Sequence, residues 1–203
     1  MDIDRQAMLR LFCLVSPAFP VGSFAYSHGL EGAVEAGDVA DEAGVRGWLE
    51  GVLRHGSGRS DAILLRHAHR AAGDPASLRA IALVAEAACL GRERHEETMA
   101  QGAAFASAAS VWERVESAPY PVAFGALASR QGIDEACACL GYLFSWVSNL
   151  VSASLRLGLM GQAAGLRVLT ALEPALMEVA DETREASLDD IGGACFLADV
   201  SAM

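Results

Sequence analysis

Apolar residues return along this chain at intervals of three and four, the period of helices with one face turned inward. Met8, Leu11, Phe12 and Val15 predict a helix over residues 4 to 15, which Ser16-Pro17 must end because proline disfavours a helical residue before it. After the loop SPAFPVGSF, a second helix is predicted from about Tyr26 to Ala36, closed by Gly37 in a left-handed cap. Asp41 reads as the N-cap of a third helix, carrying Val45, Trp48, Leu49, Val52 and Leu53 and ending at Gly56. Ser60 starts a fourth, with Ile63, Leu64 and Ala68, and Asp74-Pro75 opens a fifth over 75 to 89. The run RERHEETM (92 to 99) reads as a solvated face flowing into AQGAAFASAASVW, until Pro119 and Pro121 interrupt it. A short helix near 121 to 131 follows, and Asp134 then caps a long one reaching Leu157. Leu166, Leu169, Leu172, Leu176 and Val179 mark the last, in which Pro174 should kink the axis or start a new turn. The ending SLDDIGGACFLADVSAM reads as irregular. No repeat, linker or shift of composition divides the chain. The expectation is one all-α domain over residues 1–203, a bundle of eight to ten helices.

Composition strengthens the helical reading. Alanine (39) and leucine (24) outnumber valine, isoleucine and threonine (23 together), and the β-branched residues are the ones that lose rotamer freedom in a helix. The many alanines let helices approach closely. One stretch, ACACLGYLFSWVSNLVSASL (136 to 155), is long enough to span a bilayer. Ser145, Ser148, Asn149, Ser152 and Arg156, however, draw a polar stripe along one of its faces, which suits a buried central helix and an interface better than lipid.

Charge narrows the chemistry. All 15 basic residues are arginine, and with 26 acidic residues the net charge is -11. Without lysine there is no P-loop, no Schiff base and no lysine general base. The acidity also disfavours nucleic acid and anionic membrane surfaces as partners. The five cysteines, Cys13, Cys89, Cys137, Cys139 and Cys195, form no disulfide framework, and the charged N-terminus is unlike a signal peptide, so a cytoplasmic location is expected. His67 and His69 lie two apart, on opposite sides of a helix, and are read as solvent-facing beside Arg66 and Arg70; Cys137 and Cys139 are read as ordinary thiols. His95 with Glu96 and Glu97 lacks metal-binding spacing, and no nucleophile elbow or dinucleotide fingerprint appears. The expectation is a protein that is not an enzyme and has no metal site or cofactor. The segment SPAFPVGSFAYSHGLE (16 to 31) stands apart, because two prolines fix it and Phe19, Phe24 and Tyr26 crowd it with aromatic side chains. A fixed loop of this kind binds at a smaller entropy cost.

SPAFPVGSFAYSHGLEGAVEAGDV resembles the amino-terminal signature of the urease accessory protein F family (UreF). LGYLFSWVSNLVSASLRLGLMGQAAGLRVLTALEP is similar to its second signature, and LDDIGGACFLADVSAM, which contains Asp199, to its third. The resemblance implies an all-helical, non-catalytic chaperone that helps build the nickel centre of urease. It would act with UreD (also called UreH), the GTPase UreG and apo-urease, and as a homodimer. An alternative within the same resemblance is a regulator of GTP hydrolysis by UreG, with Arg156 or Arg130 as a finger. Carried over by position, the partner-binding residues are Pro17, Pro20, Gly22, Tyr26, Ser27, His28, Gly29 and Glu31 in the first block. In the second block they are Ser148, Asn149, Ser152, Arg156, Gly161 and Gln162, and in the third Asp199. Asn149 and Ser152 can equally bond back to their own helix, whereas Arg156, ending an uncharged run, needs a carboxylate or carbonyl partners. Family members commonly have glutamine where His28 stands, and a lone histidine there reads as a capping or interface residue rather than a nickel ligand. They also commonly continue into a basic, aromatic tail, so truncation at Met203 is expected.

Overall fold

The computed structural model describes residues 4–89 and 91–192. Among them it is all helical: α1 (Arg5–Leu14), α2 (Leu30–Ala36), α3 (Glu42–His55), α4 (Ser57–Arg70), α5 (Pro75–Ala87), α6 (Arg92–Ala109), α7 (Tyr120–Arg130), α8 (Glu135–Arg156) and α9 (Gln162–Glu182), with short 3-10 turns at Ser23–Ala25 and Leu188–Asp190. The expected caps form. Asp41, Asp74 and Asp134 accept from the backbone N–H groups of Gly44, Ala76 and Cys137, and Gly37 closes α2 with φ 84°.

Two helix starts differ from the sequence pattern. α2 begins at Leu30 rather than Tyr26, because His28 (φ 51°) and Gly29 (φ 76°) are left-handed and cannot lie inside a right-handed helix. α4 begins at Ser57, immediately after Gly56, so α3 and α4 meet at one residue. α9 runs unbroken through Pro174.

α8 crosses the middle of the bundle and packs on α9, α4, α7, α3 and α1. Its apolar side, with Tyr142, Leu143, Val147 and Leu150, is buried there. It has the length and apolarity of a membrane span, yet half of its most apolar window is covered by the rest of the protein. Gly141 allows α1 to lie close across it, against Leu11 and Val15.

α4 is enclosed almost all round, with Asp61, Ile63, Leu64, Leu65 and Arg66 buried. His67 and His69 therefore do not face solvent as the pattern suggested. They are half-buried, and their Nε2 atoms lie 2.9 Å from the Ala186 carbonyl and 2.8 Å from the Ile133 carbonyl. Arg66 donates to Glu135 Oε1 (2.6 Å), to Thr183 Oγ1 and to the Ala180 carbonyl, tying α4 to α8 and α9. Cys137 is exposed and Cys139 buried, as ordinary thiols would be, and Cys195 lies outside the described residues.

Candidate functional site

The chain leaving α1 makes a tight turn, in which the N–H of Phe19 donates to the Ser16 carbonyl and that of Ala18 to Ser16 Oγ. Gly22, at φ 74°, starts the 3-10 turn, and the left-handed pair His28-Gly29 then swings the chain into α2. Phe19 packs inward against Phe105 and Trp112. Pro17, Pro20, Gly22 and Phe24 face outward, while Tyr26 and Ser27 are half-buried. Ser27 Oγ accepts from the N–H of Glu31, an exposed residue whose charge favours the N-terminal turn of α2.

The polar stripe of α8 holds this loop. Asn149 Nδ2 donates to the carbonyls of Ser23 (2.8 Å) and Tyr26 (3.3 Å). Arg156 Nη2 donates to the Phe24 carbonyl at 2.7 Å, with its guanidinium 3.7 Å above the Phe24 ring. The stripe thus faces the chain's own first block. Arg156 meets one carbonyl and an aromatic face with no carboxylate, because it stays in solvent and needs no neutralising charge. Ser152 bonds back to the Ser148 carbonyl, whereas Asn149 reaches across. Asn149→Ala, which strands the Tyr26 carbonyl and leaves the Ser23 carbonyl with only the Tyr26 N–H, is expected to cost about 1–2 kcal/mol and to speed amide hydrogen exchange selectively over residues 23 to 29.

Beneath the loop lies a buried polar cluster. His28, whose side chain is 6% exposed, places Nε2 3.1 Å from Glu97 Oε1 and Nδ1 3.4 Å from Ser57 Oγ, with its ring edge-on to Trp146. Glu97 also accepts from Gln101 Nε2 (3.0 Å) and pairs with Arg94 Nη1 (3.2 Å). Arg94 Nη2 donates to both oxygens of Asp61 at 2.8 Å, and Tyr142 Oη donates to Asp61 Oδ2 at 2.7 Å. Burial pushes the Glu97 carboxyl up, but the charges and hydrogen bonds of His28 and Arg94 outweigh it and bring it down to about 2. Burial and the Asp61 charge raise the Tyr142 phenol.

A carboxyl lower in the folded than in the unfolded chain stabilises fully above its unfolded value of about 4.5, and that stabilisation fades as pH falls towards 2. Glu135, held down by Arg70 and Arg66 against the upward push of burial, shifts in the same direction. The urea midpoint of unfolding is therefore expected to drop steeply between about pH 4.5 and pH 2, and Glu97→Gln should flatten that slope. An unchanged slope in the variant would place the titration elsewhere.

The structure gathers the first block, Ser148, Asn149, Ser152 and Arg156 into one region, with Ser16, Pro17, Phe24, His28 and Trp146 around a cavity of ≈ 170 Å³. Gly161 and Gln162 instead cap and begin α9 on the surface, outside that cavity lining. Asp199 lies outside the described residues. Asp61, Arg94, Glu97 and Tyr142 were not legible as site residues. Taking 92 to 99 as a solvated face hides Glu97 and Thr98, which are buried. The available signal was that positions 94, 97, 98 and 101 continue the face of Phe105. Among the described residues no three His, Cys, Asp or Glu side chains converge as a metal-binding set.

The family model described as UreF matches residues 39–173. The urease accessory protein UreF of Agrobacterium fabrum is 44% identical over 97% of this chain and 91% of its own length. That of Mesorhizobium japonicum is 45% identical over 97% and 91%, and that of a Bradyrhizobium species 46% identical over 100% and 89%.

Proposed function

The chain belongs to the UreF family of urease accessory proteins, and from that premise we propose that it is a non-catalytic scaffold for assembly of the urease nickel centre. It works in the cytoplasm as a homodimer of one-domain subunits, in a complex with UreD (UreH) and UreG that engages apo-urease. The supporting observation is the clamp that Asn149 and Arg156 place on residues 23 to 26. It keeps an outward segment, with Phe24 67% exposed, in one conformation before any partner arrives. A surface ordered in advance spends less of its contact energy on ordering when it binds.

A pull-down of UreD and UreG homologues, with urease activity in a deletion strain, tests this reading. Deletion is expected to abolish urease activation. Phe24→Ser is expected to weaken co-purification while moving the unfolding midpoint little. Normal urease in the deletion strain would overturn the proposal.

A second reading, control of GTP hydrolysis by UreG, draws on the exposure of Arg156. Arg130 is a poorer finger, since it is occupied by the Ala72 carbonyl and Glu113. UreG turnover that Arg156→Ala leaves unchanged removes that role.

A further inference from the structure

Side chains of α4 hold the chain where it leaves α9. Arg66 donates to the Ala180 carbonyl, Arg70 to that of Arg184 and Arg59 to that of Asp190 (2.6 Å), while His67 Nε2 lies 2.9 Å from that of Ala186. The contacts descend α4 as the held segment ascends in number, so residues 183 to 190 form a strap antiparallel to α4 that ends at its first turn. Leu188 and Ile191 cover the smaller apolar core of Leu64, Ala68, Ile81, Ala85 and Val122.

The strap delivers the chain to a second cavity. This space of ≈ 230 Å³ lies between the starts of α4 and α6 and the end of α5, and Ile191 and Gly192 are part of its lining. Leu64, Ala85, Ala88 and Pro121 make its wall apolar, and two of them belong to the core that Leu188 and Ile191 already cover. Its charged lining residues, Asp61 and Arg94, are bonded to each other at 2.8 Å, so neither is left to call for a charged occupant. An uncharged, apolar group larger than a water molecule suits such a space.

The sequence beyond Gly192 supplies one. Residues 193 to 198, which lie outside the described ones, read GACFLA and carry no charge. Phe196 stands four residues past Gly192, a span of at most about 14 Å, which is enough to cross a cavity that Gly192 itself lines. A group tethered this closely acts at an effective concentration on the order of millimolar, which an untethered apolar occupant would have to exceed. We propose that Phe196 seats in this cavity, so that residues 193 to 198 continue the strap and close over the wall formed by Leu64, Ala85 and Pro121.

Nuclear Overhauser contacts in the full, unmodified chain test the placement. The Phe196 ring is expected to meet the methyl groups of Leu64 and Ala85, and in a mixture of labelled and unlabelled chains these contacts should arise within one chain. A second readout is Cys89, a half-buried lining residue whose Sγ lies 3.3 Å from the Ala85 carbonyl. Phe196→Asp is expected to speed alkylation of Cys89 by iodoacetamide about ten-fold, as local opening of a protecting segment would. Phe196→Leu should keep the protection, and Cys137, exposed on α8, should react at the same rate in all three proteins. Missing ring contacts, contacts between different chains that make the occupant a second copy, or a Cys89 rate unchanged in Phe196→Asp would each overturn the proposal. If Cys137 also reacts faster in a variant, that variant has lost its fold and the ring contacts of the unmodified chain decide.

Discussion

Asp61→Ala is expected to lower the stability of this protein by about 3–5 kcal/mol, the usual cost of removing one partner from a buried ion pair. Asp61 is 4% exposed, and its two oxygens take both contacts from Arg94 Nη2 as well as the hydroxyl of Tyr142. Truncation leaves the Arg94 guanidinium in the bundle with Glu97 as its remaining carboxylate and strands a phenol that cannot easily ionise. For a chain of this size, each kcal/mol shifts Tm by about 2–4 °C, so the drop should be roughly 6–20 °C. Asp61→Asn should fall nearly as far, because it keeps the shape but still leaves Arg94 short of a charge. Tyr142→Phe, which removes one hydrogen bond, should cost only about 1 kcal/mol. A shift of less than 1 kcal/mol in Asp61→Ala would show that Glu97 alone satisfies Arg94.

Gly125→Val should be comparably severe for a steric reason. Gly125 sits in α7, whose residues Tyr120 to Ala128 are all buried, and α7 packs most closely on α4. A Cβ there would fall well inside van der Waals contact with the Leu65 carbonyl oxygen and the backbone around it. Backbone cannot step aside as a flexible side chain can, so the two helices must separate and open the core around Phe124 and Leu127. The expected cost is about 3 kcal/mol or more, at the upper end of overpacking. Gly47, exposed in α3 with open space around it, gives the contrast. Gly47→Ala should stabilise by about 0.5–1 kcal/mol. Thermal unfolding of the two variants side by side separates close packing from helix propensity.

The two signature segments are readable as sequence because their residue types are unusual where they stand. Prolines at 17 and 20, glycines at 22 and 29, and an asparagine and an arginine on an apolar helix each have a local physical reason to be noticed. What they do to one another is not local. Asn149 lies more than a hundred residues from the carbonyls it holds, so no spacing could announce that the α8 stripe faces the first loop. The reverse error occurred at 92 to 99, where a charged run on a helix ordinarily lies in water. Arg94 and Glu97 turn inward because Asp61 on α4 and His28 in the loop wait there with complementary groups.

By itself, the sequence determined the helical class, three helix starts through the aspartate caps at 41, 74 and 134, and the family. These follow from interactions within a few residues or from the order of motifs along the chain. Only the tertiary structure decided that His67 and His69 are tethers to backbone carbonyls, that the polar stripe is an internal clamp, and that a charged run supplies the buried cluster. The physical reason is that burial and pairing belong to two segments at once, and a pattern read along one segment carries no information about the other.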